Sequence, residues 1–162
     1  MKSIKETLLD LAIADIEKQI ETAEQGRKDA VEESKAHKGA MASRYDTFKE
    51  EAQYLAGGFA ARIQELAPLL VALKSMRTRI TANSKVSGGA IVEVEDTDTG
   101  VKTKYFLLPA GGGHVYEVNG EQYSTLTIQA PLARSLFGKT EGDEAEITIQ
   151  GATRHLLVVS VS

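Results

Sequence analysis

The chain has no cysteine and no tryptophan, and only 6% of its residues are aromatic. Without cysteine it can form no disulfide, no thiol nucleophile and no cysteine-based zinc site. Its three histidines, His37, His114 and His155, lie far apart and lack the spacing of metal ligands. Nothing in the sequence marks a catalytic triad. We therefore expect a protein that is not an enzyme and that needs no cofactor and no resident metal.

The chain also lacks an excess of positive charge. Its formal net charge is −4, so we do not expect tight autonomous binding to DNA or RNA. The N-terminal apolar run contains acidic residues and no cleavage-type ending, which argues against a signal peptide. By our reading no stretch approaches the ~20 apolar residues of a membrane span. These absences predict a cytoplasmic protein.

The first half contains two series of apolar residues at alternating gaps of three and four, the spacing of a long helix packed on another helix. One series comprises Leu9, Ile13, Ile16, Ile20, Ala23 and Ala30, and the other Tyr45, Phe48, Ala52, Leu55, Phe59, Leu66, Leu69, Leu73, Met76 and Ile80. One arginine interrupts each series, Arg27 in the first and Arg62 in the second. The pattern predicts an antiparallel coiled-coil hairpin over residues 1–82. A coiled-coil dimer is the alternative.

The tip of this hairpin is predicted at about residues 37–45, because a first helix as long as the second would run from near Ser3 to near Ala36. Side chains that this tip would present are Lys38, Ser43, Arg44, Tyr45 and Asp46. Lys38 and Arg44 are basic, and Asp46 is the one acidic residue among the five. A competing acidic tip, formed by Asp29, Glu32 and Glu33, requires the first helix to end near Lys28.

Residues 83–162 change to the period-two alternation of β-strands. Strands are predicted at 90–95, 101–108, 123–128, 144–149 and 155–161. A short helix is predicted at 130–138, since proline stands near its first turn and glycine just past its end. The predicted fold class is α+β, with a small antiparallel sheet and one short helix after the helical hairpin.

The run from Leu126 to Ile147 resembles the C-terminal signature of the bacterial Gre family of transcript-cleavage factors, GreA and GreB. The matching residues are the strand LTIQA, then Pro131-Leu-Ala-Arg134 and Leu136-Phe-Gly138-Lys139, then the acidic turn at Gly142-Asp143. Residues 86–94 also resemble the first strand of that domain. The resemblance implies an FKBP-like domain over residues 83–162, preceded by a coiled coil.

The resemblance further implies a transcription elongation factor that binds RNA polymerase. The FKBP-like domain would dock on the polymerase through Pro131, Arg134, Phe137, Lys139 and Asp143. The coiled coil would enter the secondary channel as part of an elongated monomer, and nucleic acid, DNA included, would be met only within that complex. Because the predicted tip lacks the family's Asp-x-x-Glu pair, modulation of elongation is expected rather than stimulation of transcript cleavage.

Two other functions stay open at this point. The FKBP-like fold is shared with peptidyl-prolyl isomerases, whose pockets are lined by several aromatic residues including tryptophan. The absence of tryptophan argues against that activity. A structural module that associates with itself through its coiled coil is the third hypothesis.

Overall fold

The computed structural model describes residues 2–36 and 42–162, with only the backbone described at 34–36, 42, 43 and 45. Two long helices precede a sheet, as the period change predicts. The helices are α1 (Ile4–Ala36), α2 (Ala42–Met76) and α3 (Pro131–Leu136), and a 3₁₀ turn (Arg77–Arg79) follows α2. The strands are β1 (Ile91–Asp96), β2 (Lys102–Leu108), β3 (Val115–Val118), β4 (Glu121–Thr127), β5 (Glu144–Ile149) and β6 (Ala152–Val161). The α+β fold class is confirmed.

The chain forms two compact units that each contain parts of both long helices. One unit comprises Ile13–Val71, and the other comprises Met1–Ala12 together with Ala72–Ser162. The first and last turns of the helix pair therefore group with the sheet. The functional division at residues 82 and 83 stays a prediction.

The helix pair of the first unit is antiparallel. The Phe59 ring lies against Gly26, and Arg62 Nη2 donates a hydrogen bond to Gln19 Oε1 at 3.0 Å, so numbers rise along one helix as they fall along the other. Most of the predicted seam is buried or half-buried. Buried members of this unit are Ile13, Ile16, Ala23, Ala30, Ala52 and Leu66.

One member of the predicted seam is wrong, because Leu55 is half-exposed. The two arginines that interrupt the series, Arg27 and Arg62, are exposed, and each pairs with a glutamate on its own helix. Half-buried Ile63 continues the series between Phe59 and Leu66 in place of Arg62. The seam of α2 is therefore continuous and apolar.

Gly26 is a half-buried residue of the seam of α1. A Cβ atom built at Gly26 would lie 2.6 Å from Phe59 Cζ and under 3 Å from both Phe59 Cε atoms. The missing side chain thus provides the space that the aromatic ring occupies. Because this fit requires one glycine opposite one phenylalanine, it sets the register of the helix pair.

At the other end of α1, a capping box begins the helix. Ser3 N donates to Glu6 Oε2 at 2.7 Å, and Glu6 N donates to Ser3 Oγ at 3.2 Å. Within the same first turn, the side chain of Lys5 is buried. Its Nζ donates hydrogen bonds to Thr81 O at 2.8 Å and to Asn83 Oδ1 at 2.9 Å. Burial lowers the pKa of Lys5. These bonds tie the start of α1 to the segment that leads into the sheet.

The six-stranded sheet has the order β3-β4-β2-β1-β6-β5. The prediction of a wholly antiparallel sheet is wrong, because β2 and β4 pair in parallel, with Phe106 opposite Thr125. Strand β3 lies between them in the chain and runs antiparallel to β4, so β4 returns in the direction of β2. The core lies where α3 covers the sheet, and its fully buried members are Val86, Ala90, Val92, Leu107, Ala133, Leu136 and Val158.

Strand β3 was not predicted. It forms a hairpin with β4 across Asn119 and Gly120, which both have positive φ, 54° and 79°. This backbone is that of a two-residue hairpin turn, for which Asn-Gly between alternating strands is a strong signal. The signal was present in the sequence and was overlooked beside the glycines at 111–113.

By length and composition alone, the helical segment Asp46–Arg79 could cross a membrane. The expectation that no stretch of the chain approaches the length and composition of a membrane span is therefore wrong for α2. One such helix is weak evidence for a membrane protein, and its apolar stretch carries two charges, Arg62 and Glu65.

The packing of Phe59 against Gly26 predicts opposite effects on stability for a glycine-to-alanine substitution at two positions of the helix pair. Alanine at an exposed helical glycine stabilises by roughly 0.5–1 kcal/mol, and a Cβ at Gly58 meets nothing within 4 Å. Gly58→Ala should therefore raise the free energy of unfolding. Gly26→Ala should lower it by about 1 kcal/mol, since displacing the ring costs more than the helix gains. Urea unfolding of both variants measures this, and equal gains would contradict the packing role of Gly26.

Candidate functional site

The short helix α3 holds the predicted docking residues on a rigid support. Pro131 occupies its first turn, where a missing N–H costs no helical hydrogen bond. Ala133 and Leu136 are fully buried in the core beneath it. A six-residue helix is not stable by itself, so these two anchors fix its orientation on the sheet.

Three of the predicted residues share the opposite, exposed face of this segment. Pro131, Arg134 and Phe137 follow at intervals of three and are all exposed; we call them the α3 stripe. Phe137 leaves 55% of its surface exposed, which is unusual for a side chain of its size. An aromatic ring beside a guanidinium group on a rigid support is the composition typical of a protein-binding hot spot.

The segment after the stripe is held by backbone hydrogen bonds to the residues that precede β1. Gly138 N donates to Val86 O at 2.8 Å, and Val86 N donates to Lys139 O at 2.8 Å. Gly138 has φ of +80°, a conformation that favours glycine. Val86 itself is fully buried. Lys139, half-buried, is thereby placed next to the stripe in a fixed backbone conformation.

Asp143 closes the next turn with its carboxylate. Its Oδ2 accepts hydrogen bonds from Thr140 N at 2.8 Å and from Thr140 Oγ1 at 3.1 Å. The backbone hydrogen bond from Thr140 is the main cause that lowers the pKa of Asp143, and the hydroxyl adds to it. All five predicted docking residues thus lie on one continuous segment, 131–143. Asp143 also has a structural role, because its carboxylate closes the turn that begins at Thr140. Sequence reasoning missed Thr140, although its spacing from Asp143 is that of a side-chain-closed turn.

The predicted tip falls partly outside the described residues. Lys38 lies in the undescribed segment 37–41, and Ser43 and Tyr45 lie at the start of α2 with only their backbone described. Arg44 and Asp46 are exposed in the same part of α2. Helix α1 ends at Ala36 and α2 begins at Ala42. The position of the tip and the role of these residues stay predictions.

The competing acidic residues lie within a helix. Asp29, Glu32 and Glu33 are exposed in α1, which continues to Ala36 and does not end near Lys28. The Asp29 carboxylate accepts a hydrogen bond from Gln25 Nε2 at 2.9 Å, one turn earlier. Within the described residues, no group of three or more histidine or acidic side chains could hold a metal ion.

An open groove of about 410 Å³ is lined by residues of the sheet and of the turn after β1. Its floor includes Val94, Tyr105 and Leu156, and Arg154 and Asp96 stand at its edge. Tyr105 is the one aromatic among its lining residues, all of which are described. An isomerase pocket of the expected kind would need several aromatic residues, so this groove gives that hypothesis little support.

Comparison with known proteins gives one consistent result. Residues 81–162 match the family model described as the transcription elongation factor GreA/GreB C-terminal domain. The chain is 30% identical over 139 residues to the transcription elongation factor GreA of Methylococcus capsulatus, covering 82% of this chain and 79% of that one. It is also 30% identical over 135 residues to GreA of Magnetococcus marinus, with the same coverage.

A solved structure also resembles the chain, at lower similarity. GreA factor homolog 1 (Gfh1) of Thermus thermophilus is 16% identical, with 93% of this chain and 94% of that chain covered and a TM-score of 0.37.

The contacts of Asp143 predict a specific dependence of stability on pH. The pKa of Asp143 lies below its ordinary value of 3.8, so the ionised carboxylate stabilises the fold fully above pH 3.8. That contribution is lost as pH falls below 3.8 through the lowered pKa. Asp143→Asn should therefore have a lower melting temperature than the wild type at pH 7, and the difference should narrow below pH 3.8.

Thermal unfolding followed by circular dichroism from pH 7 down to pH 2.5 measures this difference. Glu141→Gln is the matched control, because it removes one exposed carboxylate from the same turn without touching Thr140. A difference between Asp143→Asn and the wild type that stays constant with pH would contradict a role for the ionised carboxylate.

Proposed function

This chain belongs to the GreA/GreB family of transcription elongation factors, and we propose that it acts by binding RNA polymerase through the α3 stripe and the turn that follows it. The observation that carries this proposal is the exposure of both Arg134 and Phe137, on and directly after a helix anchored by two fully buried residues. No contact within the described chain explains why so large an apolar side chain is exposed there. A partner surface would bury it.

The long helices supply the second part of the proposed function. We propose that an elongated monomer passes its helix pair into the secondary channel of the polymerase and presents the segment 37–46 to the active site. The continuous helices α1 and α2, on either side of that segment, support this role. In this proposal the chain works in the cytoplasm, meets nucleic acid only inside the complex, and has no catalytic residue of its own.

The chemistry of the tip favours modulation over transcript cleavage. A cleavage factor must supply anionic oxygen ligands for a second Mg²⁺. Here Lys38 and Arg44 outnumber Asp46 in the tip segment, while the acidic Asp29, Glu32 and Glu33 lie inside α1. Positive side chains near the active site would contact phosphate rather than deliver a metal ion.

Binding to core RNA polymerase tests the docking surface. Phe137→Ser should weaken binding at least tenfold, or about 1.4 kcal/mol, since it removes an aromatic anchor. Val115→Ser is the matched control, because Val115 is also an exposed apolar residue, 61% exposed, on the edge strand β3. Biolayer interferometry at low salt measures both variants. Equal loss in both, or none in Phe137→Ser, would contradict docking through α3.

A transcript-cleavage assay on backtracked complexes tests the tip. We expect the wild type to leave the cleavage rate within about twofold of that of polymerase alone, because a lone carboxylate is a poor Mg²⁺ ligand set. Asp46→Ala and Glu32→Ala should behave like the wild type, with Glu21→Ala as a control on the exposed face of α1. Strong stimulation by the wild type that Glu32→Ala abolishes would instead establish the acidic tip at Asp29 to Glu33.

A further inference from the structure

Residues 81–87, which we call the linker segment, lie between the 3₁₀ turn and β1 and are held by side-chain hydrogen bonds. Near the start of the segment, Lys5 Nζ of α1 donates to Thr81 O at 2.8 Å and to Asn83 Oδ1 at 2.9 Å. The other half of the same amide, Asn83 Nδ2, donates to Ser87 Oγ at 2.7 Å. Asn83 therefore connects the first turn of α1 to the far end of the linker segment.

Val86 connects the linker segment to the docking residues. Its N–H donates to Lys139 O, and its C=O accepts from Gly138 N, both at 2.8 Å. Its side chain is fully buried, so its backbone cannot shift without disturbing a close-packed core. A series of hydrogen bonds and short backbone steps thus runs from Lys5 to the two residues that directly follow the α3 stripe.

The burial of Lys5 indicates what this series of bonds provides. Only 8% of Lys5 is exposed, and both of its acceptors are neutral. Burying an ammonium group costs free energy unless its hydrogen bonds are made, and an apolar side chain of similar length would avoid that cost. What a lysine adds is geometry, because one nitrogen atom holds two acceptors of the linker segment in fixed positions.

The exposed aromatic residue of the stripe depends on that geometry. Phe137 follows the last residue of α3 and has left the helical conformation, with ψ of 130°. On its helical side, its N–H donates to Ala133 O at 2.9 Å. On its other side the chain continues into Gly138, which is held only where its N–H meets Val86 O. The direction of Phe137 is therefore set jointly by α3 and by the linker segment.

We infer that Lys5 and Asn83 are positioning residues for the docking of RNA polymerase, because they fix the linker segment and, through it, the backbone that carries Phe137. The inference rests on the proposed docking through the α3 stripe. It adds that residues far from α3 in the sequence set the geometry of the docking surface. Neither residue has to touch the polymerase to act in this way.

Amide hydrogen exchange of the full chain, followed by NMR, tests this coupling without polymerase. Asn83→Ala removes both side-chain bonds of Asn83. It should speed exchange of the Val86 and Gly138 amides at least about fivefold, since these two N–H groups join the linker segment to the docking residues. The Thr125 amide, which bonds to His114 O in another part of the sheet, is the internal reference and should change by less than about twofold.

Two further variants separate positioning from a loss of folding. Asn83→Asp keeps an acceptor for Lys5 and can accept from the Ser87 hydroxyl, so exchange at Val86 and Gly138 should stay close to that of the wild type. Lys5→Met keeps an apolar stem of similar length and loses every donor. It should therefore behave like Asn83→Ala.

Binding to core RNA polymerase tests the consequence for docking. Lys5→Met and Asn83→Ala should each weaken binding about threefold or more, and Asn83→Asp should restore it. Lys2→Met is the matched control, because it makes the same change near the start of α1, where the Lys2 side chain is 71% exposed and pairs with Asp10. It should leave binding unchanged.

A double-mutant cycle shows whether Lys5 acts through the stripe. In a chain that already carries Phe137→Ser, Lys5→Met should weaken binding by less than about half of its single effect on the logarithm of the dissociation constant, since the ring it positions is gone. Full additivity would mean that Lys5 acts elsewhere and would overturn the inference.

Two other results would also overturn it. One is exchange at Val86 and Gly138 that Asn83→Ala leaves unchanged or speeds no more than exchange at Thr125. The other is equal binding by Lys5→Met and Lys2→Met. The proposed function is judged separately by Phe137→Ser alone. If that variant weakens binding and Lys5→Met does not, docking through α3 stands and only the positioning role is lost.

Discussion

The fit of the Phe59 ring on Gly26 is the contact on which the helix pair depends. It fixes which residues of α1 and α2 oppose one another and, through that register, which residues of α2 face outward. A seam that ran through Leu55 and Arg62 would have buried a guanidinium group and turned Ile63 to the solvent. The observed register buries the apolar side chain and leaves Arg62 free to bond Gln19 across the pair.

Much of the helical half could be predicted from the sequence, because long apolar series at a period near 3.6 have one structural solution. The prediction failed for Gly26, which matters to the packing because it has no side chain. Gly26 contributes no side chain to a hydrophobic pattern, so its partnership with Phe59 is invisible until the second helix is in place. In the sheet, β3 had a local signal in Asn119-Gly120, whereas the parallel pairing of β2 with β4 is a long-range property that strand patterns do not encode.

The candidate site also combines features that local sequence predicts with features that depend on distant parts of the chain. The positions of proline and glycine predicted α3, whereas the shared exposed face of Pro131, Arg134 and Phe137 was not predicted and is seen in the structure. The hydrogen bonds that hold the following turn to Val86 and Val158 join distant parts of the chain and could not be read from local sequence. The tip is different again. Its chemistry depends on the surface that it meets, so the side chains of this chain alone determine only part of its action.

The strand order has a consequence for how the protein forms during synthesis. Strand β6 lies between β1 and β5 in the sheet, so β1 cannot acquire its second neighbour until β6 has been synthesised. The two long helices precede β1 in the chain. During synthesis the helix pair can therefore fold first, while one side of β1 stays unpaired until the ten residues of β6 have emerged from the ribosome.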